Sequence, residues 1–214
     1  MAWIDKYLSK DDFEKIESAI QKAEEQTGGE IVPVIVRRSS AIGHVPLMVT
    51  LILTLLIVAL EVPYSEWLWV RPWVWAWPVL LILIYGVSLL LARSKWIQKV
   101  FVPERDELDQ VHQRAQLEFY ANRIHRTQDE TGILIFVSVM EKKAIILADE
   151  GIAKKLPPGV WDEILAELRG HLGDGKWAHG FQEAIRRCGE LLAAHFPLQG
   201  QPNNELMNHL IVKD

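Results

Sequence analysis

The chain has 214 residues, one cysteine and a formal net charge of −5, and hydrophobic residues make up 50% of it. A single thiol, Cys188, excludes an internal disulfide framework, and the acidic balance excludes the basic footprint of a nucleic-acid-binding surface. The seven histidines (His44, His112, His125, His171, His179, His195 and His209) are scattered and form no zinc motif.

Residues 1–10 lack a basic segment followed by an apolar run, so no secretory signal is expected there. Ser9 and Asp12 are spaced to form a capping box at the start of a first helix. Phe13, Ile16, Ile20 and Ala23 recur at helical spacing and predict one apolar face. Thr27-Gly28-Gly29 ends that helix. Residues 30–36 then read as a strand buried on both faces, with Pro33 pointing to an edge position or a bulge.

Residues 41–100 have a different character. Residues 45–62 carry one charge, Glu61, and residues 73–92 carry none. At about 18 and about 20 residues, these stretches would measure roughly 27 and 30 Å as helices, and they predict a two-helix transmembrane hairpin. Trp67, Trp69, Trp73, Trp75 and Trp77 would mark one bilayer interface, and Trp96 the other. Arg37, Arg38, Arg93, Lys95 and Lys99 flank the spans, whereas the tip holds Arg71. The positive-inside rule then predicts cytoplasmic flanks and an external tip. On this reading the protein is a multi-pass component of the cell (inner) membrane, with the lipid bilayer as its partner. Association with other membrane proteins, and self-association through the hairpin, stay open.

After the hairpin, Pro103 opens a helix expected to run to about Gln128, with Leu108, Val111, Ala115 and Phe119 as its buried stripe. Residues 133–139 form a second strand, and a turn at residues 140–143 leads to a third at residues 144–148. A short helix at residues 151–156 is expected before Pro157-Pro158. Two more helices follow, marked by Trp161, Ile164, Leu165 and Leu168 and by Trp177, Phe181, Ile185, Cys188 and Leu192. Cys188, among apolar neighbours, reads as a core residue.

The expected fold class is α/β: a small mixed sheet of three to four strands flanked by helices in an α/β/α sandwich, interrupted by the hairpin. Strands 1 and 2 should be parallel because a crossover joins them, and strand 3 antiparallel to strand 2. The domain is thus split into residues 1–40 and 101–197, around a hairpin at residues 41–100. Residues 198–214 are expected as a loose tail.

This topology places Glu30, Asp129, Glu130, Asp149 and Glu150 at one end of the sheet. Carboxylates around one point suit a hard cation, Ca²⁺ or Mg²⁺, with Asp149 and Glu30 as the leading ligands. The other reading is a set of solvated caps. No further cofactor is indicated. There is no G-x-G-x-x-G, P-loop or G-x-S-x-G pattern and no activated nucleophile.

The stretch from Leu8-Ser-Lys-Asp-Asp through Thr27-Gly-Gly-Glu-Ile31 resembles the TPM-domain family. So do Thr131-Gly-Ile-Leu-Ile-Phe-Val-Ser-Val139, Glu141-Lys-Lys, Ala148-Asp-Glu-Gly-Ile152 and Pro158-Gly-Val-Trp161. The resemblance implies an α/β/α sandwich. It also implies either a phosphatase-like, metal-binding role or a role as an accessory factor for membrane complexes, with acidic positions similar to Asp149 and Glu30. The functional expectation is a membrane protein presenting a cytoplasmic TPM-like domain as an accessory or assembly factor. The alternative is a divalent-metal-dependent phosphatase-like enzyme.

Overall fold

The computed structural model describes residues 3–40, 45–64, 76–94, 97, 104–127, 129–198 and 205–214. Trp67, Trp69, Trp73, Trp75, Trp96, Arg71, Lys95, Lys99, Pro103 and Gln128 lie outside the described residues. The elements are α1 (Lys10–Glu24), β1 (Glu30–Val36), α2 (Val45–Tyr64), α3 (Ala76–Leu91), α4 (Glu104–Ala121), β2 (Gly132–Ser138), β3 (Lys143–Ala148), α5 (Glu150–Ala153), α6 (Asp162–Gly173), α7 (Trp177–His195) and β4 (Ile211–Lys213). They fall into two compact units. One is Met1–Ser39 with Leu108–Asp214, and the other is Ser40–Glu107.

The first unit is an α/β fold around a mixed four-stranded sheet in the order β3-β2-β1-β4. β1 is parallel to β2 and β4, and β2 is antiparallel to β3. Every residue of β1 and β2 is buried because each strand is covered on both sides. Ile31, Ile35, Ile133 and Ile135 face one core, completed by Ile16 and Ile20 of α1 and by Phe181, Ile185, Cys188 and Leu192 of α7. Val32, Val34, Leu134 and Phe136 face the other, completed by Val111, Ala115 and Phe119 of α4. Cys188 is fully buried, and burial pushes its thiol up to about 12.

Local chemistry accounts for the element ends. Ser9 Oγ accepts from the Asp12 N–H, and Asp12 accepts from the Ser9 N–H, closing the expected capping box. α4 stops at Ala121 rather than near Gln128, because Arg123 takes a left-handed backbone (φ 59°) and turns the chain into a short 3₁₀ turn, Ile124–Arg126. Leu108 is not part of the buried stripe; it is 47% exposed.

One sequence expectation is met and another needs revision. Pro33 pairs in register with Ile135 on one side and sits at an open edge of β1 on the other, with no bulge. Its missing N–H would point toward β4, which joins β1 only at Val34–Val36. The proline therefore removes no ladder bond. The residues after Pro197 are not simply a loose tail. Ile211–Lys213 form β4, Leu210 is buried in the first core, and Lys213 pairs with the buried Glu118.

The second unit holds α2 and α3, where Val45, Val49 and Ala92 pack together against Leu53 and Ile97. Thr50, Thr54 and Ser88 donate to carbonyls one turn back, so their hydroxyls are satisfied within their own helices. Most of the aliphatic surface stays open, with Leu51 55% and Ile82 70% exposed. The hairpin expectation is not met. No helix among the described residues is long and apolar enough to cross a membrane. α3 has 16 residues, and the apolar run of α2 ends at Glu61.

Candidate functional site

The five carboxylates do occupy one end of the sheet. Glu30 pairs in register with Gly132, and the Asp149 N–H donates to the Gly132 carbonyl at 2.9 Å. Glu30 and Asp149 thus flank Gly132 from opposite sides, two strand spacings apart, or roughly 9–10 Å. Ile124 fills the gap. A Cβ on Gly132 would meet the Ile124 carbonyl oxygen at 2.5 Å, which is why glycine stands there. Among the described residues, no three His, Cys, Asp or Glu side chains gather closely enough to hold a metal ion.

Each carboxylate has its own surroundings. Asp149 caps α5 by accepting from the Glu150 N–H at 2.8 Å, while its buried Oδ2 has no hydrogen-bond partner. Glu150 and Glu130 are exposed and face Lys154, at 3.2 and 3.9 Å. Asp129 is exposed. The Asp129 and Glu130 carbonyls close over Gly151, where a Cβ would meet them at 2.7 and 2.6 Å.

Glu30 belongs to a different cluster, on the flank of β1 that β4 does not reach. It is 6% exposed, and its Oε1 accepts from the Glu205 N–H at 3.0 Å. Glu24, at the end of α1, accepts from the Ile31 N–H at 3.0 Å. That N–H has no strand to meet, because β4 begins opposite Val34. Asn208 stands beside Glu24 and favours its charged form slightly. Three oxygens here are buried without a hydrogen-bond partner: Glu24 Oε2, Glu30 Oε2 and Asn208 Oδ1.

Burial is the main electrostatic consequence. It pushes the Glu24 carboxyl up to about 8, with repulsion from Glu30 adding to the rise and the Ile31 N–H opposing it. Burial also raises Glu30, against the backbone N–H groups of Glu205 and Leu206. Two such carboxyls can share a proton or a hard cation, but they are poorly suited to standing ionised and bare together.

The sequence pointed to Glu30 and missed Glu24 and Asn208. One signal was present. Glu24 and Glu25 stand at the C-terminal end of α1, where a helix dipole disfavours negative charge. An acid there needs another reason, and in this fold Glu24 serves the open edge of β1. Asn208 had no signal, because its segment carries no periodic pattern.

Comparison with known proteins agrees with this architecture. No curated protein matches the chain. The solved NMR structure of BA42 protein, from the psychrophilic bacterium Bizionia argentinensis, matches with a TM-score of 0.62 at 20% identity, covering 100% of both chains. At that identity the likeness concerns the fold. The correspondence takes in residues 41–100, and it overturns the reading of this chain as a multi-pass protein of the inner membrane with an inserted anchor. The membrane-tethered accessory role fails with it. A family model, that of the TPM domain, matches residues 92–191, which hold β2, β3 and most of the helical cover of the sheet.

Proposed function

We propose that this chain is a TPM-type binding module that takes a hard divalent cation, Ca²⁺ or Mg²⁺, at Glu24, Glu30 and Asn208. The observation that carries this reading is the set of three unpartnered buried oxygens, since a buried polar atom without a partner costs about 1–3 kcal/mol. All three are of the type that hard cations select. The donors come from α1, β1 and the segment leading into β4. A cation there would couple binding to seating of residues 205–213 on the sheet. A cation and a proton compete for the same oxygens, so binding strengthens as pH rises through about 8, where Glu24 ionises.

Melting of the full chain with and without CaCl₂ or MgCl₂ tests this. A rise in Tm of about 2–4 °C is expected at pH 8.5, with a smaller rise at pH 6. Glu24→Gln and Glu30→Gln should each abolish it. An unchanged wild-type Tm with both salts would sink the reading.

A phosphomonoesterase built on Asp149 is the competing reading. Its support is the phosphatase name that the matched family model carries, together with the unpartnered Asp149 Oδ2. Hydrolysis of p-nitrophenyl phosphate that disappears in Asp149→Asn would favour it over a binding role.

A further inference from the structure

A cavity lies at the opposite end of the sheet from the acidic groups, where β2 ends at Ser138. Its volume is about 320 Å³, within the range of small-molecule pockets. In α/β sheets the carboxyl ends of parallel strands are the usual place for a ligand, and β1 and β2 both end here.

The lining is chemically specific. Val137, Val139 and Leu172 give an apolar floor. Tyr7 and Trp177 form a wall, their ring centroids 4.6 Å apart. Arg169 and Lys142, both exposed, also line it, and none of the lining side chains among the described residues is acidic. Among those residues neither cation makes an ion pair. Arg169 donates Nε to the Leu165 carbonyl at 3.1 Å, which leaves its two terminal nitrogens for another acceptor. In a chain of net charge −5, a concave site lined by two cations and no acid runs against the overall balance.

Lys142 adds an independent observation. It closes the β2–β3 turn with φ 55°, a conformation in which glycine or asparagine would be the easier choice. A long side chain held there costs on the order of 1 kcal/mol, and strain of this kind collects at ligand sites. The position places Lys142 in the lining of the cavity.

We propose that this cavity binds a small aromatic carboxylic acid of one or two rings, its ring against Tyr7 and Trp177 and its carboxylate between Arg169 and Lys142. Arginine offers the planar fork that a carboxylate fits. The volume of about 320 Å³ suits a body of that size.

The test is NMR titration of the full chain with indole-3-carboxylate and with neutral indole-3-methanol, read at the Trp177 indole N–H, assigned by Trp177→Phe. The carboxylate should shift this resonance at millimolar concentration or below and bind at least about ten-fold more tightly than the alcohol. Arg169→Gln with Lys142→Gln should remove that preference and leave Tm unchanged. Lys142→Gly should weaken the acid while raising Tm, because it relieves the strained backbone. Absence of a shift, equal binding of acid and alcohol, or a preference that survives loss of both cations would each overturn the proposal.

Discussion

The two units use apolar residues in contrasting ways. In the α/β unit every residue of β1 and β2 is buried. In the unit spanning residues 40–107, α2 and α3 are more uniformly apolar, yet Leu51, Leu55, Ile82 and Leu90 are exposed. Composition does not separate these cases, but pattern does. The strands are met by helices with one apolar stripe and one polar face, such as Ile16, Ile20 and Ala23 of α1 set against Glu14, Glu17 and Gln21. A stripe chooses a side, and the strand and the stripe bury each other. Helices α2 and α3 have no stripe to choose with, and each contributes only a narrow seam to the other. Hydrophobic length therefore reports what a segment is made of, and complementary patterning reports what it will cover.

Substitutions sharpen this contrast. The largest effect is expected at Ile133, which is fully buried beneath α1 and α7. Ile133→Ala should lower unfolding stability by about 3–4 kcal/mol, read as a fall in urea midpoint with an unchanged slope.

An intermediate effect comes from Glu24. Its folded-state value is raised, so its contribution to stability is full below about pH 4.5, where the carboxyl is protonated in both states. Above that pH the unfolded chain releases the proton while the folded chain keeps it. Stability therefore falls as pH rises, until the loss is complete near pH 8. Partial solvent access limits the span to on the order of 2 kcal/mol. Glu24→Gln should flatten the decline between pH 5 and 8 in thermal melts without added metal. An unaltered pH slope in that variant would mean that Glu24 does not carry the linkage.

The smallest effect is expected at Leu51. Leu51→Ser should leave the unfolding midpoint of the α/β unit within about 0.5 kcal/mol. A loss like that at Ile133 would show that exposure in α2 does not mean energetic neutrality, and the contrast between the units would break.

Much of the α/β unit was legible in the sequence. The Ser9–Asp12 cap, the periodic faces of α1 and α7, and the β2–β3 hairpin are local signals that the fold keeps. The parallel pairing of β1 and β2 followed from the long connection between them. What sequence could not supply was partnership across long separations. β4 is three residues long, and Ile211 is paired with Val34, far too distant for any window of periodicity to reveal. The same limit hid Asn208 and left the carboxylates as a single group, when Ile124 in fact divides Glu30 from Asp149. The hairpin was misread for a related reason. A count of apolar residues stood in for span, and no helix among the described residues is long and apolar enough to cross a membrane.

The side-by-side alignment of β1 and β2 has one more consequence. Strands that run the same way cannot be joined by a tight bend, so the chain must travel back along the sheet before it can pair again. That return path is where added length is tolerated most easily: doubling a flexible connection costs only about 0.6 kcal/mol in closure entropy. Residues 40–107 lie within this obligatory detour. The architecture therefore carries a built-in splice point, able to admit a whole extra unit without disturbing the order of its strands.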